Sequence, residues 1–366
     1  MTTTGTTTGT TTGTTTGTTT AVGTGTTAVT EVVLPGVVEP EGLQLRRRTL
    51  PAPGPGQALV AVEASGVSFA EQQMRRGKYY DQPPFPFVPG YDLVGTVRAV
   101  GDGVEPALLG RRVAALTKTG GWSSAVLLPA ADLVEVPDGV EAAAAATLVV
   151  NGLTAWTMLH RTARVRAGQT VLVLGANGGV GSVLSRLALL AGARVLGSAS
   201  PRHHELLRAR GVEPVDHHGD LLTQVRELSP GGVDAVFDHV GGPGITTSHA
   251  LLRRGGTLVS YGTAATRDES GNPRLPVLLL VARLAWWNAL PDGRRATFFD
   301  VWAGRRRRSA FRARVREDLG AVLRLHAEGA LPADVAAVLP LTRVAEAVRL
   351  AESRTVAGKV VLDPTA

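Results

Sequence analysis

The sequence predicts an α/β protein: a doubly wound parallel sheet joined to a compact, barrel-like β domain that the chain leaves and later re-enters. Three observations predict it. The segment Thr170-Val-Leu-Val-Leu-Gly-Ala-Asn-Gly-Gly-Val-Gly-Ser182 reads as strand, glycine turn and helix start. From residue 152 onward, short apolar runs alternate with helical patterns. Strand-like runs between Gly and Pro turns fill 31–137, and the same pattern returns near the end of the chain. Alternating strands and helices build a parallel sheet covered on both faces, whereas short strands between turns build an all-β unit.

The first thirty residues carry a Thr-Thr-Thr-Gly repeat up to about Thr20 and hold almost nothing to bury. They read as a disordered tail. With neither a basic start nor an apolar core segment, they do not read as a signal peptide. So regular a repeat also fits a start codon placed too far upstream, with the true start near 29–33. Residues 31–150 together with 304–366 are expected to form the β-rich domain, and 151–303 the doubly wound one. In the first, strands are expected at 58–64, 93–100, 112–116 and 125–128, with a turn at 101–103. A polar and aromatic segment, 68–80, and a proline-rich one, 83–90, lie between them like a rigid wall facing something.

In the second domain, strands are expected at 171–174, 194–197, 213–215, 235–238, 257–260 and 297–301, about six in all. Helices fill the gaps. The chain then runs through a helix at 312–325, a strand at 335–339, a helix at 344–352 and a last strand at 359–362, which dock back on the first domain.

The glycine turn carries the chemistry. Its spacing is G-x-x-G-x-x-G, and a second apolar strand follows within one βαβ length. Glycines there let backbone N–H groups approach a pyrophosphate, and the positive helix end favours its charge. At the end of that second strand, NAD sites place a carboxylate for the ribose 2′-hydroxyl. This chain instead has Ser198-Ala-Ser200-Pro-Arg202-His-His204, with no carboxylate until Glu205. Ser200 and Arg202 suit a 2′-phosphate, which favours NADPH over NADH. The competing reading of Arg202 is a solvated residue at a helix start.

Composition narrows the classes. With 366 residues and 44% apolar content, two domains with a sizeable core are expected. The absence of cysteine excludes disulfides and thiolate metal sites. The net charge of +7 is scattered apart from the run 305–308, which reads as solvated surface; no nucleic-acid motif accompanies it. The apolar run 275–290 is interrupted by Pro276, Arg283 and Asn288 and is too short for stable membrane insertion. Its Trp286-Trp287 pair fits a helix at a subunit interface or over a cleft, with a membrane-surface helix as the alternative. His203, His204, His217, His218 and His239 form no ligand set, so no metal is expected.

The chain resembles the medium-chain dehydrogenase/reductase superfamily, within it the zinc-independent quinone oxidoreductase branch. The resemblance rests on Phe87-Val-Pro-Gly-Tyr-Asp-Leu-Val-Gly95, Asn151-Gly-Leu-Thr-Ala-Trp156, Gly175-Ala-Asn-Gly-Gly-Val-Gly181, Phe237-Asp-His-Val-Gly-Gly242 and Gly358-Lys-Val-Val361, in that order. It implies a Rossmann domain plus a discontinuous GroES-like β-barrel domain. The superfamily's zinc enzymes carry a catalytic Cys and a G-H-E motif; here Tyr91 stands at the His position. The resemblance places Gly178, Gly179, Val180 and Gly181 at the pyrophosphate, and Ser200 and Arg202 at the 2′-phosphate. It places Val240 and Gly262 beside the nicotinamide ribose, and Asn151 and Thr154 beside the nicotinamide ring. Ser68 stands where many relatives have a substrate-facing asparagine, and Gln73 where some have a tyrosine. Ser68 and Tyr80 are the candidate catalytic residues. Tyr80 is the candidate proton donor with solvent as its rival, and Tyr79 and Tyr91 are further phenols near the cleft.

The implied activity is NADPH-dependent hydride transfer to a small-molecule quinone or α,β-unsaturated carbonyl, in a cytoplasmic homodimer paired through edge strands near 297–301. Two alternatives stand beside it. One is an NADPH-binding member with a structural or membrane-associated role. The other is an enoyl reductase in a biosynthetic pathway.

Overall fold

The computed structural model describes residues 1–2, 25–262, 264–266, 274–353 and 355–366. Most of the expected disordered tail therefore lies outside the described residues, but its last six do not. Strand β1 (Thr27–Val33) begins inside that stretch and pairs antiparallel with β2 (Gln44–Leu50). Val29 and Val32 are buried there, and their burial turns the end of the tail into strand. Across the pair, buried Glu31 accepts from Arg46 at 2.6 and 2.9 Å and from Arg48 at 2.8 Å.

The chain continues through β3 (Gln57–Val67), α1 (Phe69–Arg75), β4 (Asp92–Val100), β5 (Arg112–Leu116), β6 (Ala125–Pro129), β7 (Val134–Glu135) and α2 (Ala142–Trp156). A π-helical turn, Thr157–Ala163, extends α2. Then come β8 (Thr170–Leu174), α3 (Gly179–Leu190), β9 (Arg194–Ala199), α4 (His204–Ala209), β10 (Glu213–Asp216), α5 (Leu221–Leu228), β11 (Val233–Asp238), α6 (Ile245–Ala250) and β12 (Leu252–Ser260). The last elements are α7 (Arg274–Asn288), β13 (Arg295–Phe298), α8 (Arg308–Ala327), β14 (Val335–Pro340), α9 (Val344–Ser353) and β15 (Lys359–Asp363).

Strands β8 to β13 form one parallel sheet in the order β10-β9-β8-β11-β12-β13. The chain builds outward from β8 on one side, then crosses to build from β11 on the other. A crevice opens where the carboxyl ends of β8 and β11 lie side by side, which is where such sheets bind ligands. The sixth strand sits at 295–298 rather than 297–301. Asn288 fixes it: its side chain accepts from Ala296 N–H at 2.8 Å and donates to Ala296 O at 2.7 Å. Beyond Phe298 the Asp300 carboxylate accepts from Trp302 N–H at 2.9 Å, and that turn ends the strand.

The second sheet runs β14-β15-β3-β4-β5-β7, and β6 also pairs with β3. Among the described residues these pairings follow an open path. The long strand β3 meets β4 along one edge; on the other it meets β6 over 57–61 and β15 over 65–67. The chain thus re-enters its first sheet, as the sequence pattern predicts. Helix α2 packs between this sheet and helices α3 and α8. Residues 142–163 form the one described helix long and apolar enough to cross a membrane, and most of it is buried inside the fold. The tryptophan pair on α7 divides: Trp287 stacks on His249 at 4.2 Å between ring centres, while Trp286 is exposed with Leu275, Leu278 and Leu279.

One buried ion pair ties the end of the chain to this sheet. Lys359 Nζ lies 2.5 Å from Asp92 Oδ2, and both residues are buried. The other carboxylate oxygen of Asp92 accepts from Gly66 N–H at 2.8 Å. Asp92→Ala should lower the unfolding free energy by about 3–5 kcal/mol, because it strands an ammonium out of water. Urea unfolding of the variant measures this; a loss below about 1 kcal/mol would show the pair to be dispensable.

Candidate active site

The glycine turn between β8 and α3 is built by close approach. Gly175 adopts φ +66°, which L side chains rarely take, and the His239 ring lies where its Cβ would be. A Cβ on Gly181 would fall on the Gly175 carbonyl, so only glycine lets α3 begin this near the strand. A Cβ on Gly179 would stand 2.7 Å from Asn151 Nδ2. Gly178 is the N-cap of α3, and the first N–H groups of that helix have no partner within it. This is a cradle for an anion, with the positive end of a twelve-residue helix behind it.

The cradle opens into a cleft of about 400 Å³ between the two sheets. The structure brings together here most of the residues singled out from sequence: Ser68, Tyr80, Asn151, Thr154, Gly178, Gly179, Val180, Gly181 and Gly262 all line it. Asn151 and Thr154 are carried by α2, one turn apart. Ser200, Arg202 and Val240 lie outside this lining. Ser200 follows the carboxyl end of β9, and exposed Arg202 donates from Nε to His203 Nε2 at 3.0 Å. Val240 packs against the core beneath the sheet, its N–H held by Asp238 at 2.8 Å.

Three phenols and an acid form one wall. Trp302 Nε1 donates to the Tyr91 hydroxyl at 2.5 Å, and the Tyr91 and Tyr79 hydroxyls share a hydrogen bond of 2.7 Å. Tyr80 donates to Asp300 Oδ1 at 3.3 Å. Burial raises the pKa of all three phenols; neighbouring phenols add to this for Tyr79 and Tyr80, and the Asp300 charge adds for all three. They stay protonated near neutral pH and act as hydrogen-bond donors, not bases. Behind them, Glu71 accepts from Ser68 N–H at 2.9 Å and from Tyr91 N–H at 2.7 Å. Burial, then the Asp92 charge, pushes the Glu71 carboxyl up to about 7, against the pull of Lys359 and of the Tyr91 and Glu71 N–H groups.

Asp300, Tyr261 and Lys359 also line the cleft and were not singled out from sequence. Asp300 and Tyr261 carried a usable signal: each lies just past the carboxyl end of a parallel strand, β13 and β12. Lys359 stood in the Gly358–Val361 motif, but nothing in the sequence pairs it with Asp92, 267 positions away.

Comparison with known proteins follows the same division. Residues 54–138 match the family described as alcohol dehydrogenase GroES-like domain, and 210–362 the one described as zinc-binding dehydrogenase. The synaptic vesicle membrane protein VAT-1 homolog of Rattus norvegicus is 34% identical over 333 residues, covering 88% of this chain and 80% of that protein. A quinone oxidoreductase from Pseudomonas syringae pv. Tomato is 28% identical with a TM-score of 0.78, covering 92% of this chain and all of that one. A mycobacterial protein solved in complex with NADPH is 28% identical with a TM-score of 0.76 over the same shares.

The zinc in the second family's description does not fit the residues present. A catalytic zinc of that type takes three protein ligands from Cys, His or carboxylate. This chain has no cysteine, and among the described residues no three His, Asp or Glu lie close enough to share an ion. Asp92, beside the position of the missing histidine, is already engaged by Lys359 and Gly66. The nucleotide cradle, in contrast, fits. The chain belongs to the medium-chain dehydrogenase/reductase superfamily, in its zinc-independent quinone oxidoreductase branch, and is an oxidoreductase carrying that superfamily's NAD(P)-binding domain.

Proposed function

We propose that the protein is an NADPH-dependent reductase that passes hydride to a quinone or an α,β-unsaturated carbonyl without a metal ion. The observation that carries this reading is one cleft with an anion cradle at one end and a wall of neutral donors at the other. The likeness to a quinone oxidoreductase and to an NADPH complex supports it. When bound, NADPH supplies a hydride from its nicotinamide ring.

The roles follow from position. The backbone of Gly178, Gly179, Val180 and Gly181 receives the pyrophosphate. Ser200 and Arg202 take the 2′-phosphate, and no carboxylate stands there to repel it. Asn151 and Thr154 hold the nicotinamide side of the cleft, with Val240 and Gly262 bordering the ribose. Ser68 and Tyr80 face the substrate. An electron-poor acceptor needs no Lewis acid, only donors aimed at the oxygen where charge develops. Tyr80 can complete the reaction by turning its hydroxyl proton from Asp300 Oδ1 to the substrate; solvent is the rival donor. A cytoplasmic homodimer paired through the β13 edge belongs to the same proposal.

NADPH oxidation followed by absorbance, with a small panel of quinones and 2-alkenals, should show turnover. Measurable NADPH binding with no turnover on any of them would sink the reductase reading. Gly179→Val should weaken NADPH binding at least tenfold by filling the cradle; unchanged affinity would mean the pyrophosphate lies elsewhere. Arg202→Ala should narrow the preference for NADPH over NADH by roughly ten- to a hundredfold, as loss of a charge-assisted hydrogen bond does. A ratio that does not move would assign the phosphate to another residue.

A further inference from the structure

Helix α7 is apolar on both of its faces. On one, Leu280 and Leu284 are buried, and Trp287 stacks on His249. On the other, Leu275, Leu278, Leu279, Ala282 and Trp286 follow the spacing i, i+3, i+4, i+7, i+11 and form one stripe. That stripe meets solvent: Leu278 is 65% exposed and Trp286 66%. A helix apolar all round is ordinarily buried, and a contiguous exposed apolar patch marks a binding surface.

The patch runs into the cleft. Val277 lines the cleft from the start of α7. Val281 lies one turn further on and is 44% exposed, and Leu278 sits beside it at helical spacing. These three residues make an apolar path from inside the cleft to its outside. At the inner end Tyr80 and Phe298 also line the cleft, their ring centres 6.2 Å apart and edge to face. Arg274 Nε donates to the Tyr80 carbonyl at 3.3 Å, which fastens the start of α7 to that wall. The cleft itself, about 400 Å³, is near the small end of the range for ligand sites and has to take both a nicotinamide and the head of an acceptor. A long tail on the acceptor has no room inside.

We propose that the substrate carries a long apolar tail, which leaves the cleft over Val277 and lies along α7, across Val281 and Leu278 toward Trp286. This rests on the reductase reading and narrows its substrate class to a lipid-like quinone or a long-chain enone. From Val277 to Trp286 the helix rises about 14 Å, close to the length of an extended decyl chain. The driving force is the removal of apolar surface from water. A fully buried methylene tightens binding about fourfold, and one lying on an open face about twofold. A second copy of the chain or a lipid bilayer would also cover the exposed leucines, but neither accounts for the inner end of the path inside the cleft.

The test compares decylubiquinone with the same quinone head lacking its tail, on the whole protein. Wild-type protein should reduce decylubiquinone with a KM lower by about twentyfold or more. Loaded with NADP+, it should bind decylubiquinone more tightly by about the same factor, read from quenching of tryptophan fluorescence. Leu278→Ser and Val281→Ser together should cut that advantage below about threefold. On the bare head they should leave kcat and KM within about twofold, since neither residue lines the cleft. Leu222→Ser, at an exposed leucine of α5 outside the cleft lining, should leave the advantage whole. Trp286→Gln, at the far end of the path, should reduce the advantage and reports on the same path where the double variant does not fold. A binding advantage that depends on these residues supports the path even where neither quinone turns over, an outcome that would count against the reductase reading alone. Equal binding of the two quinones overturns the path, and so does an advantage that survives the substitutions. A double variant that changes oligomeric state, or loses binding to phosphatidylcholine–phosphatidylserine vesicles, while the two quinones bind alike also overturns it, and gives the face to a second copy or to a membrane.

Discussion

Lys359 and Asp92 meet 2.5 Å apart, out of water, from strands 267 residues apart in sequence. Removing each ion from water costs several kcal/mol, so the pair holds only if its geometry and its other hydrogen bonds are good. The surroundings meet that demand. Asp92 takes a second bond from Gly66 N–H, and its carbonyl accepts from Ser65 Oγ at 2.6 Å. Gly66 has to be glycine, because a Cβ there would occupy the space of the Lys359 stem. Trp122, fully packed, donates to the Gly66 carbonyl at 3.1 Å and closes the same corner. The Asp92 charge also helps set the carboxyl of Glu71, which holds the backbone of Ser68 and of Tyr91. This wall of the cleft therefore stands on an interaction between the last strand and the fourth.

The parallel sheet was largely legible in the sequence because each strand is a short apolar run closed by glycine or a polar turn, as at 171–174 and 235–238. The glycine turn was legible for the same physical reason that makes it work: Gly175, Gly179 and Gly181 sit where a side chain would collide. The sixth strand shifted because Asn288 and Asp300 set its ends, and neither shows in an apolar pattern. Strand β1 began earlier than expected because two valines outweighed the tail's composition. In the site, Asn151 and Thr154 were found through resemblance, while Lys359, though part of a quoted motif, gave no sign of its place in the cleft because its neighbours come from distant segments. Ser200, Arg202 and Val240 lie outside the cleft lining.

The likenesses to a vesicle membrane protein and to a quinone oxidoreductase are both carried by one fold, and a fold does not choose between roles. The choice rests on the cleft. Its phenols are held in the protonated form by burial, and the buried Gln73 amide nitrogen, with no hydrogen-bond partner, belongs to a residue that lines the same space as the glycine cradle.

The return of the chain to its first sheet sets an order of events during synthesis. Strand β3 leaves the ribosome early, but β15, its partner over 65–67, emerges only after the whole parallel sheet has been made. At usual elongation rates that interval is roughly 15–60 s. Throughout it the upper edge of β3 is open to mistaken pairing, while β6 already covers the lower part. The nucleotide-binding half can fold on the nascent chain; the wall opposite it waits for the final strand.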